Sequence, residues 1–591
     1  MSAKSPELSR REFVAASSGL ASTQLLGLSV SGTALGASNQ SAPAASKIST
    51  GKKNILFIFT DQERYINKWP DKLSLPGHDR LARDGVTFTN HYVSSSMCTS
   101  SRSVMLTGLQ TIDNGMFDNV DCPYIKPLST KIPTIGHMLR KSGYHTAYRG
   151  KWHLSQDFEG HDPDKSLIAK MDEYGFGDFF SMGDGAAHAL GGYQSDEITG
   201  ASVRAWLRQK GRPLSDGKQP WSLFVSLVNP HDIMYFNADA PGENKQDSGK
   251  LLMSTARAPK SKAYETNWRA PLPKTLKQAI DAADRPAAHG EYLKAWGYTL
   301  GNIPMEHAHW DRFSDFYFNS IRQVDVQIAA IMAELEVLGL RDTTMVVFTA
   351  DHGEMGGAHG LRGKGPFAYE EAIHVPFNVV HPDVKGGQQC GALSSHIDIV
   401  PTLLSLAGVK PDDVAELAGR ELPGKDLSAA LSSPGKAEVN SIREQALFTY
   451  SGIATNDSEI IRIVAEAKAD GKNPKVAVLK SGYKPNLTKR GTLRCAFDGR
   501  YKFVRYFSPL ERNSPANLDE LFKNNDVELF DLKSDPLEAT NLASDRSKNS
   551  ALIATMNGKL EAAIKAELGK DDGREMPHLP GVDWALDRID L

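Results

Sequence analysis

Asn54-Ile55-Leu56-Phe57-Ile58-Phe59 is an unbroken apolar run of strand length with polar residues on both sides, and it closes on Asp61-Gln62. A strand with one wet face alternates apolar and polar side chains. A strand that is apolar at every position is buried on both faces, which points to a parallel sheet covered by helices on each side. The same texture returns in Thr344-Met345-Val346-Val347-Phe348-Thr349, which leads to Asp351-His352-Gly353-Glu354. It returns again in Trp221-Ser222-Leu223-Phe224-Val225-Ser226-Leu227-Val228, which leads to Asn229-Pro230-His231-Asp232. A shorter segment, His145-Thr146-Ala147-Tyr148, runs into Gly150-Lys151-Trp152-His153. In open α/β sheets ligands bind outside the carboxyl ends of the strands, so these four polar ends are expected to converge although they are far apart in sequence. Singly, each has an ordinary explanation: Asp61 as a turn cap, His231 as a satisfied loop histidine, Lys151 as a solvated charge. Four of the same kind predict one polar site.

Cys98-Thr99-Ser100-Ser101-Arg102, within the run from Ser96 to Gly108, offers that site a reactive group. A loop of small residues brings the thiol to the start of an apolar helix. Free backbone N–H groups there favour negative charge, and Arg102 follows one turn on. A lone cysteine in such a place is otherwise a small buried hydrophobe. The four strand ends are what argue for a nucleophile that meets an oxyanion.

Together these residues resemble the type I sulfatases of the alkaline phosphatase superfamily. In that family a Cys or Ser in the pattern C/S-x-P/A-x-R is oxidised to formylglycine, and a second signature reads G-Y-x-T followed closely by G-K-x-H. The second is here Gly143-Tyr144-His145-Thr146-Ala147-Tyr148-Arg149-Gly150-Lys151-Trp152-His153. Asp61-Gln62, Asn229-Pro230-His231, Asp351-His352-Gly353 and Lys364 stand in the family's order. So does the tail segment Glu528-Leu529-Phe530-Asp531-Leu532-Lys533-Ser534-Asp535-Pro536, with Glu538 and Asn541-Leu542 after it. The resemblance spans roughly residues 52–570, with two departures: Ser100 stands where the maturation signal usually has Pro or Ala, and Arg149 replaces a small or aliphatic residue.

The resemblance implies an α/β fold with a large mixed, mostly parallel sheet sandwiched by helices, alkaline phosphatase-like, and a smaller C-terminal subdomain of antiparallel sheet plus helix. It also implies hydrolysis of a sulfate ester to an alcohol and inorganic sulfate. The metal ligands would be Asp61, Gln62, the modified residue at Cys98, Asp351 and His352, an oxygen-rich set with one imidazole that suits Ca2+, with Mn2+ as the alternative. Hydrated formylglycine is a geminal diol, and a cation on one of its oxygens would generate the nucleophile near neutral pH. Arg102, Lys151 and Lys364 would offset charge developing on the transferred group. His231 and Lys364 would hold the sulfate and protonate the leaving alcohol. His153 would take the proton of the second hydroxyl, so that the covalent adduct collapses and expels sulfate. Two alternatives stay open. A phosphonate monoester or phosphodiester hydrolase would use the same site, because a tetrahedral phosphoryl group fits it. A non-catalytic protein that binds sulfate esters would keep Cys98 unmodified, a reading motivated by Ser100.

The rest of the chain sets the frame. Ser9-Arg10-Arg11-Glu12-Phe13-Val14, followed by an Ala/Gly/Ser-rich run, reads as a twin-arginine export signal over residues 1–45, with small-residue cleavage sites between Ala34 and Ala45. The expected destination is the periplasm or the exterior, with the Tat translocase and a formylglycine-generating enzyme as partners in maturation. Of 591 residues 24% are charged and the net charge is -3, so neither nucleic acid nor an anionic surface is an evident partner. Cys98, Cys122, Cys390 and Cys495 are too few over this length for a disulfide framework. Residues 52–440 read as the catalytic α/β domain, and Ile321, Val324, Ile328, Ile331, Met332, Leu335 and Leu338 form a helical stripe that should pack on the sheet. Residues 236–312, polar and proline-interrupted, with Trp268, Trp296, Trp310, His307 and His309, read as an insertion over the active site. Residues 441–591 read as the C-terminal subdomain, with a strand at Tyr501–Phe507 after the turn Asp498-Gly499 and a final helix carrying Leu552, Met556, Leu560 and Ile564. Specificity for a small-molecule or saccharide sulfate ester is expected from loops such as 155–195 and 236–312; aryl, sugar, steroid and choline alcohols all stay open. No oligomeric state follows from the sequence.

Overall fold

The structure, a computed structural model, describes residue 48 and residues 51–576 other than 123, 159–164 and 185–187. The export signal read at residues 1–45 therefore lies outside the described residues.

The described strands, in chain order, are β1 (Asn54–Asp61), β2 (Val86–Phe88), β3 (His91–Tyr92), β4 (His145–Gly150), β5 (Asp178–Phe180), β6 (Trp221–Pro230), β7 (Thr344–Ala350), β8 (Phe377–Val380), β9 (Gln388–Cys390), β10 (Ser394–Ser395), β11 (Ala446–Tyr450), β12 (Thr492–Phe497), β13 (Tyr501–Phe507) and β14 (Asp526–Asp531). Eight of them form the main sheet in the order β5-β4-β6-β1-β7-β8-β2-β9. Pairing is parallel throughout, except that β8 runs against both of its neighbours.

β1 lies between β6 and β7 among the five parallel strands and is buried along its whole length. Its side chains alternate between two cores, as the period of two requires. Ile55, Phe57 and Phe59 enter the core on one face, with Met138 and Leu139, while Leu56 and Ile58 enter the core on the other. Each buried side chain of this size is worth roughly 1.5–3 kcal/mol. That is why the run cannot tolerate a polar position.

The helices that matter to the site are α1 (Pro76–Asp84), α2 (Cys98–Thr107), α3 (Gly191–Trp206), α4 (Ala287–Leu300), α5 (His307–Val337), α6 (Ser458–Ala469) and α7 (Arg546–Glu567). The stripe on α5 is fully buried from Ile321 to Leu335, and from Val324 onward it shares the core of Leu56 and Ile58, with Leu338 packed at its edge. α5 begins at His307, so the last residues of the expected insertion at 236–312 are helical rather than irregular.

β11 to β14 form a separate antiparallel sheet in sequential order. α7 covers one face of it, with Met556, Leu560 and Ile564 buried against Leu447, Phe503 and Leu529, and with Leu552 partly buried. The tail residues singled out in the sequence fasten this sheet. Asn541 accepts from the Leu529 N–H (3.0 Å) and donates to the carbonyls of Val527 (2.9 Å) and Asp284 (2.8 Å). Glu538 pairs with Lys502 at 2.7 Å and accepts from the Glu370 N–H at 2.7 Å, which ties β13 to the larger part of the molecule. Between β11 and β12 the chain leaves this sheet to form α6 and a short helix at Pro474–Ser481, and α6 packs on α4.

Candidate active site

The carboxyl ends of β1, β4, β6 and β7 do meet. The strand pairing brings this about locally: Phe59 lies opposite Ser226 but Asp61 lies opposite Pro230, a slip that bends β6 at its end and brings His231 beside β1. Cys98 is the first residue of α2, and the preceding Met97 takes the sharp corner with φ +84°. Gln62 (φ +70°) and His153 (φ +56°) also hold left-handed backbone, which costs a non-glycine residue energy that the surrounding structure must supply. Gly150 (φ +97°) has no alternative, because a Cβ there would lie 1.9 Å from the Ser226 carbonyl oxygen.

Asp61, Cys98, Asp351 and His352 are buried, and one ligand atom from each lies within 4.8 Å of all the others. The Cys98 Sγ is 3.5 Å from Asp61 Oδ1 and 3.2 Å from His352 Nε2. His352 Nε2 is 3.6 Å from both Asp61 Oδ1 and Asp351 Oδ1. The Nδ1 of His352 faces the Gly353 carbonyl at 3.0 Å, so Nδ1 carries the proton and Nε2 presents its lone pair to the cluster. Burial holds the His352 pKa down, which favours that neutral form. Two carboxylates, a sulfur position and a bare imidazole nitrogen make a donor set that fits a divalent cation. Gln62 stands beside the set with its amide already engaged: Oε1 accepts from Lys364 Nζ at 2.7 Å and Nε2 donates to Glu354.

Two cations hold these acids. Arg102 is wholly buried beneath them, with Nε on Asp351 (2.9 Å), Nη2 on Asp61 (3.0 Å), and Nη1 on the Lys151 carbonyl (2.9 Å) and Ser226 Oγ (2.8 Å). Its guanidinium is spent on orienting the carboxylates. Lys151 Nζ lies 2.8 Å from Asp61 Oδ2. Burial alone would raise the Asp61 pKa, but Lys151, then His231, Arg102 and His352, hold it well below the usual carboxylate range. Burial pushes the His231 pKa well down, and its buried Nδ1 has no hydrogen-bond partner.

His153 is held by Asp121, whose Oδ2 is 3.0 Å from Nε2, while the buried Nδ1 has no hydrogen-bond partner. Burial and Lys151 oppose a charge on this ring, but Asp121 and Cys98 outweigh them and raise its pKa to about 9. Asp184 fixes the backbone, accepting from the N–H groups of Trp152 (2.6 Å) and His153 (2.8 Å). Ser100, the departure from the maturation signal, is buried on α2 and its hydroxyl has no hydrogen-bond partner.

The structure thus brings together Cys98, Arg102, Lys151, His153, His231 and Lys364 with Asp61, Gln62, Asp351 and His352. The supporting acids Asp121, Asp184 and Glu354 were not assigned from sequence. Glu354 had a signal, since it closes the same strand end as Asp351; Asp121 and Asp184 lie in loops without pattern. Of the three tryptophans in 236–312 only Trp296 borders the cavity beside the site. Trp310 packs in an apolar cluster with Leu276 and Phe313, and Trp268 donates to Asn319 at 3.0 Å. Among the described residues, none from 155–195 lines that cavity, whereas several from 453–487 do.

A family model described as Sulfatase matches residues 53–409. The chain is 27% identical over 446 residues to N-acetylglucosamine-6-O-sulfatase of Bacteroides thetaiotaomicron, covering 68% of this chain and 75% of that protein. It is 24% identical over 521 residues to choline-sulfatase of Rhizobium meliloti, covering 84% of each. Among solved structures, a 2-O GAG sulfatase shares the fold with a TM-score of 0.62 at 19% identity, over 89% of this chain and 94% of that one. The matched span runs from β1 past Lys364 and so contains the whole converged cluster: the chain belongs to the sulfatase family of sulfuric ester hydrolases.

Proposed function

We propose that this hydrolase acts on sulfate esters through an aldehyde made by oxidation of Cys98 and a divalent cation held by Asp61, Asp351, His352 and residue 98, with Ca2+ as first choice and Mn2+ second. The observation that carries the reading is the buried donor set at the start of α2, with the bare Nε2 of His352 turned toward Cys98 and two carboxylates. When bound, the cation and the hydrated aldehyde supply an oxygen nucleophile near neutral pH. The chain's own residues do the rest. Arg102 locks the two carboxylates in position from below, and Lys151 keeps Asp61 ionised. Lys364 and His231 hold the sulfuryl group, and Lys364, the member of the pair that carries a proton to give, protonates the leaving alcohol while the neutral His231 orients it. His153, oriented through Nε2 by Asp121, is the group placed to receive at Nδ1 the proton that must leave residue 98 before sulfate departs. Gln62, clamped by Lys364 and Glu354, completes the ligand wall.

Export through the twin-arginine route to the periplasm or exterior, a route that carries folded proteins, fits an enzyme whose residue 98 is oxidised before export. The substrate is a small-molecule or saccharide sulfate ester. Parallel kinetics on an aryl sulfate, a phosphonate monoester and a phosphate diester test the assignment. The aryl sulfate should have the highest kcat/KM, and a preference for either phosphorus ester would reverse it.

A further inference from the structure

A cavity of about 290 Å³ opens from the anion site, with Met97, His153 and His231 in its wall at that end. Beyond those residues hydrocarbon makes up much of the wall, from Met234, Leu252, Trp296, Ile461, Val464 and Leu487, with Asp118, Asn119, Asp121, Thr299, Thr455 and Asp457 among them. Four separate segments contribute: residues 118–124, the stretch after β6, 236–312 and the excursion between β11 and β12. On α6 the residues Ile460, Ile461 and Val464 occupy one face at spacings of one and four, half-buried and turned to the cavity, while Ala465 is buried on the other side.

Most polar groups in the wall are already engaged, and Asn119 accepts from the Thr99 N–H through Oδ1 (3.3 Å). Asp118 accepts from the Tyr124 hydroxyl (2.6 Å) and the Ile453 N–H (2.9 Å). Asp457 is held by Lys489 Nζ (2.9 Å) and the Asn486 N–H (2.7 Å), and Asp121 holds His153. The Thr299 hydroxyl donates to the Ala295 carbonyl at 2.8 Å, and Thr455 pairs with Tyr450 at 3.1 Å. Among the described residues no lysine or arginine lines the cavity. A polyhydroxylated ring placed here would bury hydroxyls without partners, and a quaternary ammonium would meet no uncommitted carboxylate.

We infer that the alcohol half of the ester is a hydrocarbon-rich group, an aryl or alicyclic alcohol, which this cavity selects over sugar and quaternary ammonium esters. The inference rests on the sulfate ester hydrolase reading of the same site. Its test uses the full-length, metal-loaded enzyme and three sulfates of primary alcohols, so that leaving-group chemistry is matched: cyclohexylmethyl sulfate, N-acetylglucosamine 6-sulfate and choline O-sulfate, each read by release of inorganic sulfate. The cyclohexylmethyl ester should exceed the other two by on the order of 100-fold in kcat/KM. The Ile461→Ser/Val464→Ser double variant should raise its KM about tenfold, while turnover of methyl sulfate, which does not reach α6, stays unchanged and reports intact folding. Equal or faster hydrolysis of the sugar or choline ester would overturn the inference and leave the hydrolase reading standing, as would a double variant with unaltered KM. Release of sulfate from none of the esters, with methyl sulfate and the aryl sulfate included, would remove the hydrolase reading and the inference with it.

Discussion

Gly150 is the residue on which the position of Lys151 depends. It ends β4 at φ +97°, and a Cβ placed there would lie 1.9 Å from the Ser226 carbonyl oxygen, where real Cβ atoms essentially never come under 3.0 Å. In Gly150→Ala the β4–β6 edge must therefore open by about 1 Å. Three costs follow. A left-handed alanine is worth about 1–2 kcal/mol. The Lys151 N–H to Ser226 carbonyl bond, 3.3 Å long, is lost at about 1 kcal/mol. The displaced strand end carries Lys151 away from Asp61, 2.8 Å from its ammonium, and a shift of that size costs on the order of 100-fold in rate. The expected variant is about 2–4 kcal/mol less stable to urea, with kcat/KM on an aryl sulfate down about 100-fold. Gly115→Ala separates backbone strain from collision, because Gly115 has φ +80° but nothing within 4 Å of the point an added methyl would occupy; it should cost about 1 kcal/mol and leave activity intact. If Gly150→Ala is no less stable than Gly115→Ala and as active as wild type, the close approach of β4 to β6 does not position Lys151.

Three other perturbations have defined outcomes. His153→Ala should release about one equivalent of alcohol per enzyme and then stall, with steady-state turnover down roughly 100-fold or more; ordinary turnover without a burst would remove His153 from the release step. Exhaustive chelation should abolish activity and lower the Tm, and added Ca2+ should restore both, by up to about 4 kcal/mol at a thousandfold excess over Kd; a Tm indifferent to chelator and to Asp351→Asn would argue against a cation in the cluster. His78 is clamped between Glu63 (2.7 Å) and Asp325, and although burial opposes its charge, Glu63 and Asp325 raise its pKa to about 10. A pKa raised on folding stabilises fully below the unfolded value of about 6.5 and is lost as pH rises through the folded value. The stability gap between wild type and His78→Gln should thus be largest at pH 6 and shrink toward pH 10 in urea titrations; a gap that widens with pH would reverse the assignment.

The central sheet was legible because full burial of parallel strands leaves no choice of residue: every position from Asn54 to Asp61 is buried, and the apolar run marks it. The site was legible for the same topological reason, since parallel strands deliver Asp61, Lys151, His231 and Asp351 to one edge. The residues that orient them were less so. Asp121 and Asp184 act from loops whose polar composition is the same whether an acid is solvated or clamps a catalytic histidine. Arg102 was read as a charge near the substrate, yet its donors are all turned to protein partners at the base of the cluster, an arrangement that only the packing of α2 against β1 and β6 decides. The excursion carrying α6 escaped notice because Ser458–Ala469 has a helical pattern in a region otherwise read for its strands. Which cavity a half-buried Ile461 faces depends on docking against α4, and no local pattern encodes that.

The state of Cys98 is what the whole mechanism turns on. Peptide mass spectrometry of the tryptic fragment Asp84–Arg102, from protein made in its native host, reads it without any assumption about substrate. The fragment should show the mass loss of a thiol converted to an aldehyde, which an aldehyde-reactive hydrazide then labels at residue 98. An unmodified thiol in protein that still releases sulfate would contradict the formylglycine mechanism.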